Sequence, residues 1–154
     1  MPAKAFRSRY IIAILFAVLL LAVTGCKKAK EQITEDILTQ YFRTNILNRD
    51  FHVKLATDNG TDITTQYNGY IFRLYNENDF YGSMTGIKSV DTIRGTWACN
   101  EDFSKLTITL NQPSIPVEFV FLNRAWRFTK KDVPVMELAP WGNTPSYVLH
   151  MERL

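Results

Sequence analysis

From residue 51 to residue 151 the chain repeatedly alternates apolar with more polar side chains, which is a period of two residues. The segments with this pattern are 51–56, 70–75, 93–97, 106–110, 126–128, 135–138 and 147–151. Because successive side chains of a strand point to opposite faces of its sheet, the period predicts strands with one buried face. Short strands at such regular spacing indicate a small antiparallel β-barrel or sandwich.

Turn-forming residues separate these segments. Asp58-Asn59-Gly60 follows the first segment as a hairpin turn signal, and Asn76 to Asp79 forms a polar turn after the second. Gly82 to Gly86 is consistent with either a turn or a strand relieved by glycine. Gly95 lies inside an apolar segment, where glycine often marks a bulge or a bend. The sequence therefore predicts a curved sheet made of hairpins.

A different period precedes the strands. Thr34 can cap a helix, and Glu35 and Asp36 suit the positive end of its dipole. The apolar residues that recur at helical spacing are Ile37, Leu38, Tyr41, Phe42 and Ile46. We predict one short amphipathic helix over residues 34–47.

The first 25 residues have the order of a secretory signal peptide. Lys4, Arg7 and Arg9 precede an apolar run from Tyr10 to Val23, and small residues follow it. A membrane-spanning helix needs about 20 apolar residues, and this run is shorter. A cleaved signal peptide is therefore favoured over a permanent anchor helix.

Val23-Thr24-Gly25-Cys26 resembles the lipobox of bacterial lipoproteins. The resemblance implies that the Cys26 thiol receives a diacylglycerol, that residues 1–25 are removed and that the new amino terminus is acylated, with fatty acids such as palmitate. Residues 26–32 would form a lipidated tether, and residues 33–154 the exported domain. Several acyl chains give stable attachment, to which the lysines after Cys26 add weak attraction for anionic lipid.

The expected location is therefore the cell envelope, with lipid on Cys26 holding the chain to a membrane. Lys27 rather than Asp follows Cys26, which in enterobacteria permits sorting to the outer membrane. The periplasmic and surface faces of that membrane both remain open.

Removal of the signal peptide also changes the charge. The precursor has 18 Lys and Arg against 15 Asp and Glu, and three of the basic residues lie in the signal peptide. The mature chain is thus formally neutral, which argues against a nucleic-acid-binding surface. With Cys26 acylated, Cys99 has no disulfide partner in the chain, and we expect it to pack as a small apolar residue.

Short motifs occur in a fixed order through the strand region. They are Asp62-Ile63-Thr64, Tyr67-Asn68-Gly69-Tyr70-Ile71-Phe72, Ile93-Arg94-Gly95-Thr96-Trp97, Leu106-Thr107-Ile108 and Leu122-Asn123-Arg124-Ala125-Trp126. The series resembles the lipocalin-like lipoproteins common in Bacteroidetes. The resemblance covers residues 50–152 and implies a small calycin-type antiparallel barrel. It suggests a helical turn for residues 116–123, whereas the alternation of Val117, Phe119 and Phe121 suggests an edge strand.

Residues that carry catalysis or bind metals are sparse. His52 and His150 alternate with apolar residues on the expected solvent face, so no zinc site is predicted. Asp58 to Asp62 lacks the ligand ladder of a calcium loop. Gly82-Ser83-Met84-Thr85-Gly86 places its serine wrongly for a nucleophile elbow. We therefore expect no metal, no cofactor and no enzymatic activity.

The aromatic residues support two interpretations. Tyr70, Phe72, Trp97 and Trp126 are candidates to line a ligand cavity, because a barrel of about eight strands holds either side chains or one small molecule. The same residues can simply fill the interior, which is the usual case in small barrels. Trp141 lies in the loop Pro140-Trp141-Gly142-Asn143 and is a candidate interface anchor.

Together these observations predict a noncatalytic, membrane-anchored lipoprotein that binds a small apolar or glycan-like ligand. The alternative is a protein–protein interaction module of the cell envelope, either a complex subunit or a hydrolase inhibitor. A carrier requires a cavity. An interaction module is compatible with a packed core and an exposed patch around Trp141.

Overall fold

A computed structural model describes residues 36–110, 115–142 and 146–154. The predicted signal peptide, the lipidation site Cys26 and the tether lie outside these residues. All the described strands belong to a unit that spans Leu38–Leu154.

The strands form one antiparallel sheet. They are β1 Asp50–Asp58, β2 Thr61–Asp62, β3 Ile71–Leu74, β4 Tyr81–Lys88, β5 Asp91–Cys99, β6 Lys105–Leu110, β7 Ala125–Lys130, β8 Val135–Pro140 and β9 Tyr147–Arg153. From β3 to β9 each strand pairs with the next along the chain, while β1 pairs with both β3 and β9. Pairing of the first strand with the last closes the sheet into a barrel of eight strands, and β2 only extends the β1 hairpin. The predicted barrel is confirmed, and it is closed rather than split into a sandwich.

Two features decide which side chains of β1 face the interior of the barrel: the alternation of the strand and its register with β9. Phe51 and Val53 point into the barrel, as their spacing predicts, but the register with β9 shifts between Val53 and Leu55. A β-bulge changes which face the following residues occupy. Ala56 is consequently buried and Leu55 is only half-buried.

β4 is the strand that the sequence leaves undecided. Its glycines face close neighbours: a Cβ at Gly86 would lie 2.6 Å from the Phe72 ring, and one at Gly82 would overlap the Tyr75 carbonyl oxygen. Gly95 in β5 likewise faces a close neighbour, since a Cβ there would overlap the carbonyl oxygen of Thr109 in β6. Gly95 is not at a bulge, because β5 pairs with both neighbouring strands in continuous register. The expected bend at Gly95 is therefore a close backbone approach instead.

One end of the barrel is closed by a helix, α1, over residues 36–45, within the predicted range 34–47. Its Phe42 is 2% exposed, and its ring lies 4.7 Å from that of Phe103 and 5.9 Å from that of Trp97, between ring centroids. The Tyr41 hydroxyl donates to the Lys131 carbonyl oxygen at 3.0 Å. An amphipathic stripe thus covers the core at this end.

The opposite end is closed by two short 3₁₀ helices, η1 Thr64–Tyr67 and η2 Val117–Phe119. Tyr67 and Phe119 are both buried, with ring centroids 5.9 Å apart. The Tyr67 hydroxyl donates a 2.7 Å hydrogen bond to the Glu118 carbonyl oxygen and so joins η1 to η2. Of the two interpretations left open for residues 116–123, the structure has the helical turn.

Candidate functional site

The four aromatic residues proposed to line a cavity lie in different parts of one packed core. Phe72 is buried and packs against the half-buried Tyr70, with ring centroids 6.1 Å apart. Trp97 is buried near the α1 end, and its indole donates to the Tyr75 carbonyl oxygen at 2.9 Å. Trp126 is buried too, and its indole donates to the Leu122 carbonyl oxygen at 3.1 Å. The barrel therefore does not bring the four side chains together around one space.

The void that the described residues enclose inside the barrel is small. Its volume is about 30 Å³, which is room for only a few water molecules. Of the four aromatic residues only Phe72 lines it, and the lining is entirely apolar, so the void should remain dry. In this conformation the interior is filled by its own side chains. The lining residues are Phe51, Phe72, Leu74, Met84, Leu106, Ile108, Leu122, Met136, Leu138, Leu149 and Met151.

A much larger space lies outside the barrel at the end closed by η1 and η2, and we call it the terminal cleft. Its volume is about 420 Å³, within the range of about 300–1,000 Å³ typical of small-molecule sites. It combines exposed aliphatic side chains, two aromatic rings and four polar groups. Its lining is Asp58, Ile63, Gln66, Val117, Glu118, Val120, Phe121, Arg124 and Tyr147.

Arg124 is held in the wall of the terminal cleft by aromatic rings. Its guanidinium carbon lies 4.1 Å from the ring centroid of Tyr147, 5.4 Å from that of Phe121 and 5.6 Å from that of Trp126. A cation over aromatic faces is attracted by the negative face of each ring. These contacts hold the guanidinium against the wall of the cleft without using its hydrogen-bond donors.

Those donors are largely unused. Among the described residues the buried Arg124 Nε atom has no hydrogen-bond partner, while Nη2 donates one long bond of 3.4 Å to the Val120 carbonyl oxygen. An unsatisfied buried donor is uncommon and costly. Because Nε has almost no solvent-accessible surface, a ligand in the terminal cleft would contact the terminal NH₂ groups of Arg124. Arg124 carries no sequence signal beyond its place between Phe121 and Trp126.

Two carboxylates, Asp58 and Glu118, share the terminal cleft with Arg124 but do not pair with it. Among the described residues, no ion pair within 4.0 Å includes Arg124. Burial raises the pKa of Tyr67, so its hydroxyl stays protonated and keeps donating to the Glu118 backbone. The base of the cleft is thus fixed. Asp58 Oδ1 accepts a 2.9 Å hydrogen bond from Asn59 Nδ2, which leaves the other Asp58 oxygen and the Glu118 carboxylate for a ligand.

A second outer depression, of about 320 Å³, runs along β3. Arg73 crosses it and forms two 2.7 Å hydrogen bonds with the Asp50 carboxylate, through Nε and Nη2. A bidentate pair of this kind satisfies both partners. This depression therefore lacks the unused donors that distinguish the terminal cleft.

Trp141 follows β8 and is 43% exposed. Its backbone N–H donates to the Ala125 carbonyl oxygen at 3.0 Å, and Lys105 Nζ lies 5.3 Å from its ring centroid. It is not part of the terminal cleft. Its proposed role as an interface anchor stays a prediction.

The other ionisable side chains that the sequence singled out lie apart from the cleft. His52 Nε2 lies 3.4 Å from Oε2 of Glu152, and the other carboxylate oxygen, Oε1, accepts a hydrogen bond from Lys54. Burial raises the pKa of the Cys99 thiol to about 12, which makes it a poor nucleophile. Within the described ranges, no three His, Cys, Asp or Glu side chains are grouped closely enough to bind a metal ion. Nor does any helix in that part of the chain have the length and apolar character to span a membrane.

Comparison with known proteins adds no relative: no family model, no curated protein and no solved structure matches the chain. The class is therefore defined by the fold and the cleft alone. The chain contains a closed, eight-stranded antiparallel barrel of lipocalin-like type, with a filled interior and an external cleft at one end.

Proposed function

We propose that this chain is a noncatalytic lipoprotein of the cell envelope, related to the lipocalin-like lipoproteins of Bacteroidetes, that binds a small glycan-like ligand. Lipid on Cys26 would attach it to a membrane, the outer membrane being the expected one. The ligand would bind in the terminal cleft and not inside the barrel. The contrast between a 420 Å³ cleft and a 30 Å³ interior void is the observation that supports this choice.

The terminal cleft is between η1 and η2, at the end of the barrel opposite the one that α1 covers.

Two experiments test the two halves of the proposal. Replacement Cys26→Ala should abolish labelling by radioactive palmitate and release the protein from membranes, and continued sedimentation with membranes would contradict lipidation. Native mass spectrometry of protein purified gently from its own host should show a reproducible bound mass. A clean apo mass, together with no binding of any small-molecule probe, would contradict the ligand-binding half.

A second function, protein–protein interaction within the cell envelope, is favoured by one observation. Val117 is 85% exposed and Val120 is 49% exposed, and both belong to the rim of the terminal cleft. Exposed apolar side chains surrounded by polar ones are typical of interaction sites. In-cell crosslinking from residue 117 should then give one discrete adduct that is lost in a Val120→Asp variant. The same adduct from exposed Thr129 on β7 would indicate nonspecific contact.

A further inference from the structure

We propose that the terminal cleft is a site for a neutral saccharide, such as the end of an uncharged glycan. This inference rests on the proposed function, because it names the chemical class of the ligand at the same site.

The donors come from Arg124. Its guanidinium carbon lies 4.1 Å from the ring centroid of Tyr147, and within the described residues the guanidinium donates one long hydrogen bond, from Nη2 to the Val120 carbonyl oxygen. A guanidinium already held against aromatic rings loses little conformational entropy when it binds a ligand. Arg124 therefore presents oriented donors that need an acceptor.

The acceptors lie in the same cleft. Asp58 and Glu118 carry carboxylates, and Gln66 offers both an amide oxygen and an amide NH₂. Glu118 forms no ion pair within 4.0 Å among the described residues, and neither does Asp58. A ligand that fits must accept from Arg124 and donate to the carboxylates. A hydroxyl group does both, and sugars carry several on one rigid ring.

The charge of the cleft distinguishes a neutral sugar from an acidic one. Two carboxylates and one guanidinium give a formal charge of −1 for the lining. A carboxylate on the ligand would gain from Arg124 but would be repelled by Asp58 and Glu118. A purely apolar ligand would cover these polar groups without satisfying them, which is costly. Neither alternative matches the lining as well as an uncharged polyol.

The walls of the cleft suit the remaining surface of a sugar ring. Ile63, Val117 and Val120 provide aliphatic contact, and the rings of Phe121 and Tyr147 complete the apolar lining. The C–H faces of a pyranose are apolar even though its hydroxyls are not. Small-molecule sites generally combine mostly apolar walls with a few oriented polar groups, as this cleft does.

The test uses full-length protein solubilised in detergent and saturation-transfer NMR with defined probes. The neutral probes are glucose, galactose and N-acetylglucosamine; glucuronic acid is the acidic probe, and the uncharged fluorophore N-phenyl-1-naphthylamine is the apolar one. We expect at least one neutral sugar to bind more tightly than glucuronic acid. Loss of a hydrogen bond to a charged group should weaken that binding about tenfold in Arg124→Ala and in Glu118→Gln.

Arg127→Ala is the matched control for Arg124→Ala. Arg127 is an exposed arginine on β7, the strand that directly follows Arg124, and it does not line the cleft. Its sugar affinity should equal that of the unchanged protein. Glu118→Gln keeps the size of the side chain, so it still tests the site if Arg124→Ala proves unstable. Sugar binding that neither cleft variant weakens would overturn the assigned site.

The remaining outcomes separate this inference from the proposed function. Binding of glucuronic acid alone, or of the apolar fluorophore alone, would overturn the neutral-saccharide inference and leave a ligand-binding lipoprotein in place. A bound mass from the native host that is not a sugar would do the same. Binding of no probe, with no mass retained from the host, would overturn both.

Discussion

The indole Nε1 of Trp97 donates a 2.9 Å hydrogen bond to the carbonyl oxygen of Tyr75. Trp97 lies on β5, and Tyr75 directly follows β3, so the bond passes across the intervening strand β4. Gly82 of β4 makes this possible, because any side chain there would overlap the Tyr75 oxygen. The hydrogen bond of the buried Trp97 thus depends on the absence of a side chain at Gly82.

Trp97→Phe should destabilise the barrel by about 1–3 kcal/mol, since it keeps an apolar ring but leaves the Tyr75 oxygen without its donor. The measurement is urea unfolding followed by circular dichroism. Trp141→Phe is the control, because Trp141 is 43% exposed and surface substitutions usually change stability by less than about 0.5 kcal/mol. Equal effects of the two substitutions would show that the hydrogen bond does not matter.

Phe42→Ala should cost about 3–5 kcal/mol, because Phe42 is 2% exposed and packs against Trp97, Phe103 and Phe128 at the α1 end. Thermal unfolding by calorimetry measures the loss. Arg43→Ala, one residue along the same helix, removes only an exposed ion pair with Asp79 and should cost less than about 1 kcal/mol. A small effect of Phe42→Ala would mean that α1 is not part of the cooperative unit.

The hydrophobic period is sufficient to predict the barrel, because inward-facing positions on β3, β6 and β8 repeat every two residues. It could not predict the bulge in β1. At the bulge Lys54 has no partner in β9, and Ala56 is buried where the alternation predicts Leu55. A register shift of this kind depends on pairing with the distant strand β9. Local sequence contains no information on that partner.

The strand β4 was left undecided for a related reason. Gly82 and Gly86 weaken any propensity for a strand, and their purpose is apparent only when Phe72 and Tyr75 are seen against them. Arg124 in the terminal cleft is the same kind of case. Its role in the cleft depends on its contact with Tyr147, which is distant in the sequence. In the fold, the guanidinium carbon of Arg124 lies 4.1 Å from the Tyr147 ring centroid.

Cys99 is half-buried, and its thiol should react slowly in the folded protein. Burial raises its pKa to about 12 from an ordinary value of 9.0, so at pH 8 the reactive thiolate is on the order of a thousandfold rarer than in an exposed cysteine. In a Cys26→Ala variant, where Cys99 is the remaining cysteine, labelling by iodoacetamide should be slow and should become fast in urea. Rapid labelling of the folded protein would contradict this burial.

The same raised pKa has a consequence for stability. The folded state favours the neutral thiol. The contribution of Cys99 to the free energy of unfolding is therefore fully present below pH 9 and is lost as the pH rises toward 12. We therefore compare the Cys26→Ala variant with the double variant that also carries Cys99→Ala. Their free energies of unfolding should differ most below pH 9. Urea unfolding at pH 8 and pH 11 measures the difference, which should narrow at the higher pH.

Glu152 should make folding sensitive to acid. Its side chain accepts a 2.7 Å hydrogen bond from Lys54, and this bond, with the charge of Lys54, lowers the pKa of the carboxyl from its ordinary value of 4.5. A lowered folded-state pKa contributes stability above pH 4.5, and this contribution is lost as the pH falls through the folded value. Glu152→Gln should therefore have a slightly lower melting temperature than the unchanged protein at pH 6.

At pH 2 the melting temperatures of Glu152→Gln and the unchanged protein should converge, since the carboxyl is then neutral in both states. Glu101→Gln is the control, because Glu101 is in an exposed turn and forms no ion pair within 4.0 Å among the described residues. It should match the unchanged protein at both pH values. If the gap for Glu152→Gln persisted unchanged at pH 2, the effect would come from packing between β1 and β9 and not from the charge pair with Lys54.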